Sequence, residues 1–116
     1  MIEHNRETVG PVEQVLIAAR AKIAQGWCKG TSARDVDGWP VAPRSDEACA
    51  WCIVGAVRAV LRITVSPCGH VFRLLAASAR TDLADLAFWN DKRSRTKKQV
   101  FAVYDDAIKS AHEQHL

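Results

Sequence analysis

A chain of 116 residues that is 48% hydrophobic and 25% charged has the size and make-up of one folded domain. It should bury roughly two-thirds of its unfolded surface, so one core suffices without staples. No apolar run approaches the roughly 18–20 residues of a membrane span, and a net charge of +3 is too small to argue nucleic-acid binding by itself. The opening Met-Ile-Glu-His-Asn-Arg-Glu has no apolar signal core, and no lipidation signal is present, so a cytoplasmic location is expected. A single domain over 1–116 is expected, frayed at 1–9 and 113–116. Four cysteines in a reducing compartment point to thiols, ligands or redox groups rather than a disulfide framework.

Gly10-Pro11 opens the first predicted helix, because Pro is tolerated at the first helical position. Val12, Val15, Leu16, Ala19 and Ile23 recur at helical spacing, and Gly26 supplies the stop, which gives a helix over 11–25. Trp27-Cys28 should fold back onto the core. Asp37-Gly38, Pro40 and Pro43 exclude a helix interior, so 27–44 reads as an irregular loop or short hairpin. Asp35-Val-Asp37-Gly38 has the start of a calcium loop but lacks its third alternate ligand and its distal Glu.

The most apolar helix-length stretch follows. From Ala48 to Leu61 the only charge is Arg58, and Ser45 or Asp46 offers a cap. This predicts a central helix over 45–62 that the others pack against. Gly55 inside it costs about 1 kcal/mol against Ala, which suggests close approach of another helix or simple tolerance. Ser66-Pro67 starts a helix over 67–79. Thr81 caps a short one over 82–89 with Leu83, Leu86 and Trp89 inward. Thr96-Lys-Lys-Gln99 has the capping-box spacing and begins a last helix over 97–112. The expected fold is therefore mainly α: five helices around the central one.

Four constellations could carry chemistry. Cys28, Cys49, Cys52, Cys68 and His70 are residue types that zinc takes, with Cys49 and Cys52 one helical turn apart. Buried core thiols are the plainer reading of the same residues, and a thioredoxin-like role would need a strand before the Cys-x-x-Cys. A cysteine hydrolase would pair Cys49 or Cys52 with His70 and Asn90 or Asp91. Lys92, Arg93, Arg95, Lys97 and Lys98 make a basic loop that runs into a helix N-terminus, an arrangement suited to anions; a solvated charged loop is its plain alternative. Of the four tryptophans, Trp27, Trp51 and Trp89 read as core-facing. Trp39, in the loop, is a candidate anchor for a partner or a pin for the loop itself.

Several strings occur together: Gly26-Trp27-Cys28, Ala50-Trp51-Cys52-Ile-Val-Gly55-Ala56, Trp89-Asn90-Asp91, and Arg95-Thr96 followed by Val100 and Asp106-Ala107-Ile108. In this order the chain resembles an uncharacterised family of small bacterial and phage-borne proteins that make up a domain of unknown function. The resemblance spans most of residues 11–111. It implies a compact helical domain and a bacterial or phage source, and it transfers no catalytic residue. Cys49, Cys68 and Lys92-Arg93 lie outside its pattern.

The expected function is a small non-catalytic interaction module that binds a protein or nucleoprotein partner. A phage- or mobile-element-borne inhibitor of a host complex suits the size. The expected surfaces are the basic loop and Trp39. Nucleic-acid binding through that loop, and a zinc or thiol protein using Cys28, Cys49, Cys52 and Cys68, are the alternatives. No cofactor is expected, and sequence leaves the oligomeric state open.

Overall fold

The computed structural model describes residues 9–61 and 68–116, with Cys68 described by its backbone alone. Pro11 opens α1 (Pro11–Gln25), which ends where the Gly26 N–H closes back on the Lys22 carbonyl. The stripe read from the sequence is the buried one: Val12, Leu16, Ala19 and Ile23 are fully or almost fully buried, and Val15 packs against them. Arg20, off the stripe, bonds Asp105 at 2.6 Å across the surface. Glu13 goes further inward than its helix-start role required and meets His112 Nδ1 at 3.0 Å.

Beyond Gly26 the chain builds a small β knot. Strand β1 (Ala33–Arg34) pairs antiparallel with β2 (Ala50–Trp51), Ala33 opposite Trp51. On its other side Trp51 bridges Trp27: its N–H donates to the Gly26 carbonyl, and its own carbonyl accepts from Cys28 N–H. A Cβ on Gly26 would strike the Cys49 carbonyl, so this approach requires glycine.

The predicted central helix is corrected here. Residues 45–52 are not helical; α2 spans only Ile53–Val60. Ser45 does cap, but it caps a single turn, with Oγ accepting from Glu47 N–H and its carbonyl from Ala48 N–H. The chain then extends because Ala50 pairs with Arg34 and Trp51 gains partners on both sides, and because the Trp51 indole buries with Nε1 on the Pro43 carbonyl. A continuous apolar run cannot by itself distinguish buried strand from buried helix. The cap of α2 is Cys52, whose sulfur accepts the Gly55 N–H at 3.2 Å. The close approach at Gly55 is real, but the neighbour is the loop carbonyl of Ser32, into which a Cβ would run. At its other end too the helix is shorter than expected: Leu61 is already extended, with its N–H closing back on the Val57 carbonyl. Arg62 and the cap expected at Ser66-Pro67 fall outside the described residues.

Helix α3 (Cys68–Ala79) buries Val71, Leu75 and Ala76. A single 3₁₀ turn at Leu83–Asp85 leads into α4 (Leu86–Asp91). Leu86 is buried as predicted, Trp89 is half-buried, and Leu83 is exposed rather than inward. The 3₁₀ turn rotates Leu83 off the face that continuous α-helix would have given it. Helix α5 (Lys97–Glu113) starts with the predicted capping box, Gln99 N–H on Thr96 Oγ1 and Thr96 N–H on Gln99 Oε1. At its end the Leu116 carbonyl accepts from Val12 N–H at 2.7 Å, which brings the last residues against the start of α1. Of the expected N-terminal fraying, residues 1–8 lie outside the description, while the Val9 carbonyl accepts from Gln14.

The result is a mainly α fold, five helices among the described residues with one two-stranded sheet. α1 packs on α2 and α5, and α3 on α5. Tyr104 of α5 stands fully buried at the centre, its hydroxyl donating to the Ile53 carbonyl at 2.8 Å.

Asn90 joins the helices to the β knot. It is wholly buried on α4. Its Oδ1 accepts from Trp27 Nε1 at 2.8 Å and from Ile53 N–H at 2.9 Å. Its Nδ2 donates to the Cys28 carbonyl at 3.1 Å and to Asp91 Oδ1 at 3.0 Å. A carboxamide offers two lone pairs and two N–H groups, and all are used. Asn90→Ala would strand the partners in a dry site and is expected to cost about 3–5 kcal/mol in urea unfolding. Arg20→Ala, which breaks an exposed ion pair, should cost about 1 kcal/mol or less. Equal losses for the two variants would show that the buried amide is not what ties these elements together.

Candidate functional site

The strings that carry the resemblance meet around Asn90. Gly26-Trp27-Cys28 and Ala50–Ala56 form the β knot and the start of α2, Trp89-Asn90-Asp91 ends α4, and Arg95 closes over them. Arg95 Nε donates to the Trp89 carbonyl at 2.8 Å, and its guanidinium stacks 3.7 Å from the Trp89 ring centre. Asp91 Oδ1 also accepts from Gly30 N–H at 2.9 Å. These residues hold one another, and a cleft of about 270 Å³ opens beside them, lined by Ser32, Cys52, Arg58 and Asp91 among others.

The thiols divide sharply. Cys28 and Cys52 are buried and Cys49 is exposed, all three as free thiols. Burial above all, then the neighbouring Cys52 and Asp91, lifts the Cys28 thiol from 9.0 to about 11, against the pull of Arg34. Burial lifts Cys52 as well, although the Gly55 N–H at its sulfur opposes the change. A helix N-terminus normally favours thiolate; here desolvation outweighs it. His70 is exposed on the first turn of α3 and bonds neither thiol, and Asn90 has no bonding capacity left. The structure therefore does not assemble the Cys–His–Asn set named from the sequence. Among the described residues no group of three or more His, Cys, Asp or Glu is placed to hold a metal ion. Cys49 and Cys52 lie on an extended segment rather than one helical turn, so their spacing loses the geometry that suggested paired ligands.

The basic loop divides too. Arg95 is spent on Trp89, and Lys97 leans back over α1 with Nζ 3.4 Å from the Ala24 carbonyl. Lys92, Arg93 and Lys98 are exposed. At the α5 N-terminus the Gln99 amide is already taken by Thr96.

Trp39 is 69% exposed and Val36 85%. Both sit on a turn that Asp35 shapes: Oδ1 accepts from the N–H of Asp37 and of Trp39, each at 2.9 Å. No metal ligation is needed to explain Asp35. Arg34 then reaches from the Gly38 carbonyl at 2.9 Å to the Lys29 carbonyl at 2.8 Å. Lys29 Nζ in turn donates to the carbonyls of Lys92 and Arg93, at 2.8 and 3.1 Å. A chain of hydrogen bonds through Arg34 and Lys29 thus links the 35–40 turn to the Lys92-Arg93 corner. Sequence reasoning missed Lys29 and Arg34 as those ties; Lys29 binds carbonyls more than sixty residues away, and Arg34 binds backbone carbonyls within its own loop, which carry no side-chain signature. It also missed Phe88, 74% exposed on α4.

Two outcomes test the thiol reading. Brief alkylation of the native protein at neutral pH should label Cys49 and spare Cys28 and Cys52 until urea is added, as peptide mapping would show. Equal rates would remove burial as the controlling factor. Raised thiol values in the fold mean that the unfolded chain loses these protons first, so their stabilising contribution is complete below pH 9.0 and is lost as pH rises towards about 11. Tyr104, raised by burial, acts in the same sense at higher pH. Unfolding midpoints should accordingly fall through this window, and a flat profile would contradict it.

No curated protein and no solved structure matches the chain significantly. A family model does match, over residues 7–110, and that span takes in the Asn90 knot, the turn shaped by Asp35 and nearly all of α5. Covering most of the chain, the match settles its kinship: the protein belongs to DUF6197, a family of unknown function.

Proposed function

We propose that this protein is a small non-catalytic interaction module whose recognition face is the 35–40 turn together with the Lys92-Arg93 corner. The observation that carries the reading is Trp39, a large aromatic left 69% exposed on a turn already shaped by Asp35. Tryptophan is the side chain most often found to dominate binding energy, and a turn held before binding spares part of the ordering entropy. Val36 beside it extends the apolar surface. The exposed cations Lys92 and Arg93, linked to the turn through Lys29 and Arg34, favour an acidic partner surface. The partner is a protein or nucleoprotein complex. A phage- or mobile-element-borne inhibitor acting in a host cytoplasm is the setting that fits the size of the chain and the family resemblance.

Nucleic acid is the competing partner for the same cations. With Arg95 and Lys97 engaged in the fold, three outward cations remain in this loop, which favours a protein surface.

Affinity capture from host extract, run with the wild-type chain, Trp39→Ala and a Lys92→Ser/Arg93→Ser double variant, tests this reading. Trp39→Ala should weaken capture by about 30-fold, the effect of losing a central anchor, while circular dichroism stays unchanged. The double variant should weaken it less and reduce its salt dependence. A partner held equally by all three would remove this face. Binding of a short oligonucleotide that weakens steeply with salt would transfer the role to nucleic acid.

A further inference from the structure

We infer that the cleft between the last turns of α1 and the 43–48 segment is a binding site for a small organic anion: a phosphate or carboxylate head on a compact planar or apolar body. The cleft measures about 510 Å³, within the range of small-molecule sites. It exists because 43–48 turns away instead of continuing as helix. That turn is fixed by the Trp51 indole N–H on the Pro43 carbonyl at 2.9 Å.

Its two faces differ in chemistry. Ala48, Ala59 and the buried Trp51 supply an apolar floor. Lys22 supplies the charge. It is half-buried, its ammonium lies 4.8 Å from the Trp51 ring centre, and among the described residues no carboxylate lies within ion-pair reach of it. Lysine at a helix C-terminus is ordinarily satisfied by water and by the helix dipole. Here the ammonium is partly withdrawn from water and rests on an indole face, with open volume beside it. A cation in that position gains most from an anion that enters the cleft, since the pair forms where screening is weak.

Arg44 also lines the cleft, with its Nε donating to the Arg58 carbonyl at 3.2 Å. The one lining carboxylate, Asp46, is exposed at the rim, where it disfavours a highly charged anion and leaves a singly or doubly charged head. The inference does not rest on the recognition turn: none of the lining residues belongs to 35–40 or 92–98.

Titration of the intact ¹⁵N-labelled protein with adenosine monophosphate, indole-3-acetate and inorganic phosphate, followed by NMR, tests it. At least one of the two organic anions should shift the Trp51 indole and the 43–48 amides saturably at millimolar concentration or below. Lys22→Gln should weaken that binding about tenfold or more, the value of a lost charge-assisted hydrogen bond. Thermal unfolding of the variant should match wild type. The two organic probes also separate the sources: preference for the nucleotide assigns a phosphate head, preference for the acetate a carboxylate. Ala48→Phe, which fills the cleft without touching charge, should abolish binding of both. Absence of saturable shifts, equal affinity in Lys22→Gln, or inorganic phosphate binding as tightly as the organic anions would each overturn the inference.

Discussion

One buried carboxamide holds the architecture together. Asn90 accepts from the side chain of Trp27 and the backbone of Ile53, and donates to the backbone of Cys28 and to Asp91. Three of these partners, Trp27, Cys28 and Ile53, belong to parts of the chain distant in sequence. A helix start, a β bridge and a helix end are therefore fixed relative to each other by one side chain. Buried polar groups are costly unless fully satisfied and specify a unique arrangement when they are. The knot meets that condition: among the described residues no buried side-chain nitrogen or oxygen lacks a partner. Glycine at 26 and 55 serves the same junction, since only a residue without Cβ lets the Cys49 and Ser32 carbonyls come so close.

The knot also accounts for the thiols. Residues 26–28 and 50–52 run side by side to complete the β pairing, and this carries Cys28 and Cys52 inside while Cys49 faces out. Cys52 caps α2 in place of a hydroxyl or carboxylate. A sulfur acceptor is weak, but it is apolar enough to share the interior with Ile53 and Val57. Desolvation then governs the thiol chemistry more than the helix end does, which turns a promising nucleophile motif into packing.

The outer surface follows from the same accounting. Tryptophans 27, 51 and 89 each satisfy an inward role, two by indole hydrogen bonds and one by a stacked guanidinium. Trp39 has no such engagement. Of the basic run, Arg95 and Lys97 are drawn back by carbonyls and aromatic faces. What remains outward is the aromatic Trp39 turn and three cations, Lys92, Arg93 and Lys98, and the proposed docking on an acidic, partly apolar partner draws on that combination.

Much of this could be read in the sequence where the deciding forces are local. The stripe of α1, its Gly26 stop, the Thr96–Gln99 capping box and the face of α5 depend on neighbours three or four residues away, and they stand as periodicity and spacing imply. The family kinship was likewise legible, because its strings are short and ordered. Tertiary structure alone decided residues 45–52. Their apolar run suited a helix equally well, and the balance was tipped by strand partners at 26–28 and 32–34 that no local rule identifies. It alone decided that Leu83 faces out, that Asn90 is the hub and that Trp39 is exposed. It also alone separated the two tethered cations of the basic loop from the three outward ones. For residues 45–52 and Asn90 the controlling contacts join residues far apart in the chain, and only folding determines which of them meet; Leu83 is turned outward by the 3₁₀ turn at Leu83–Asp85.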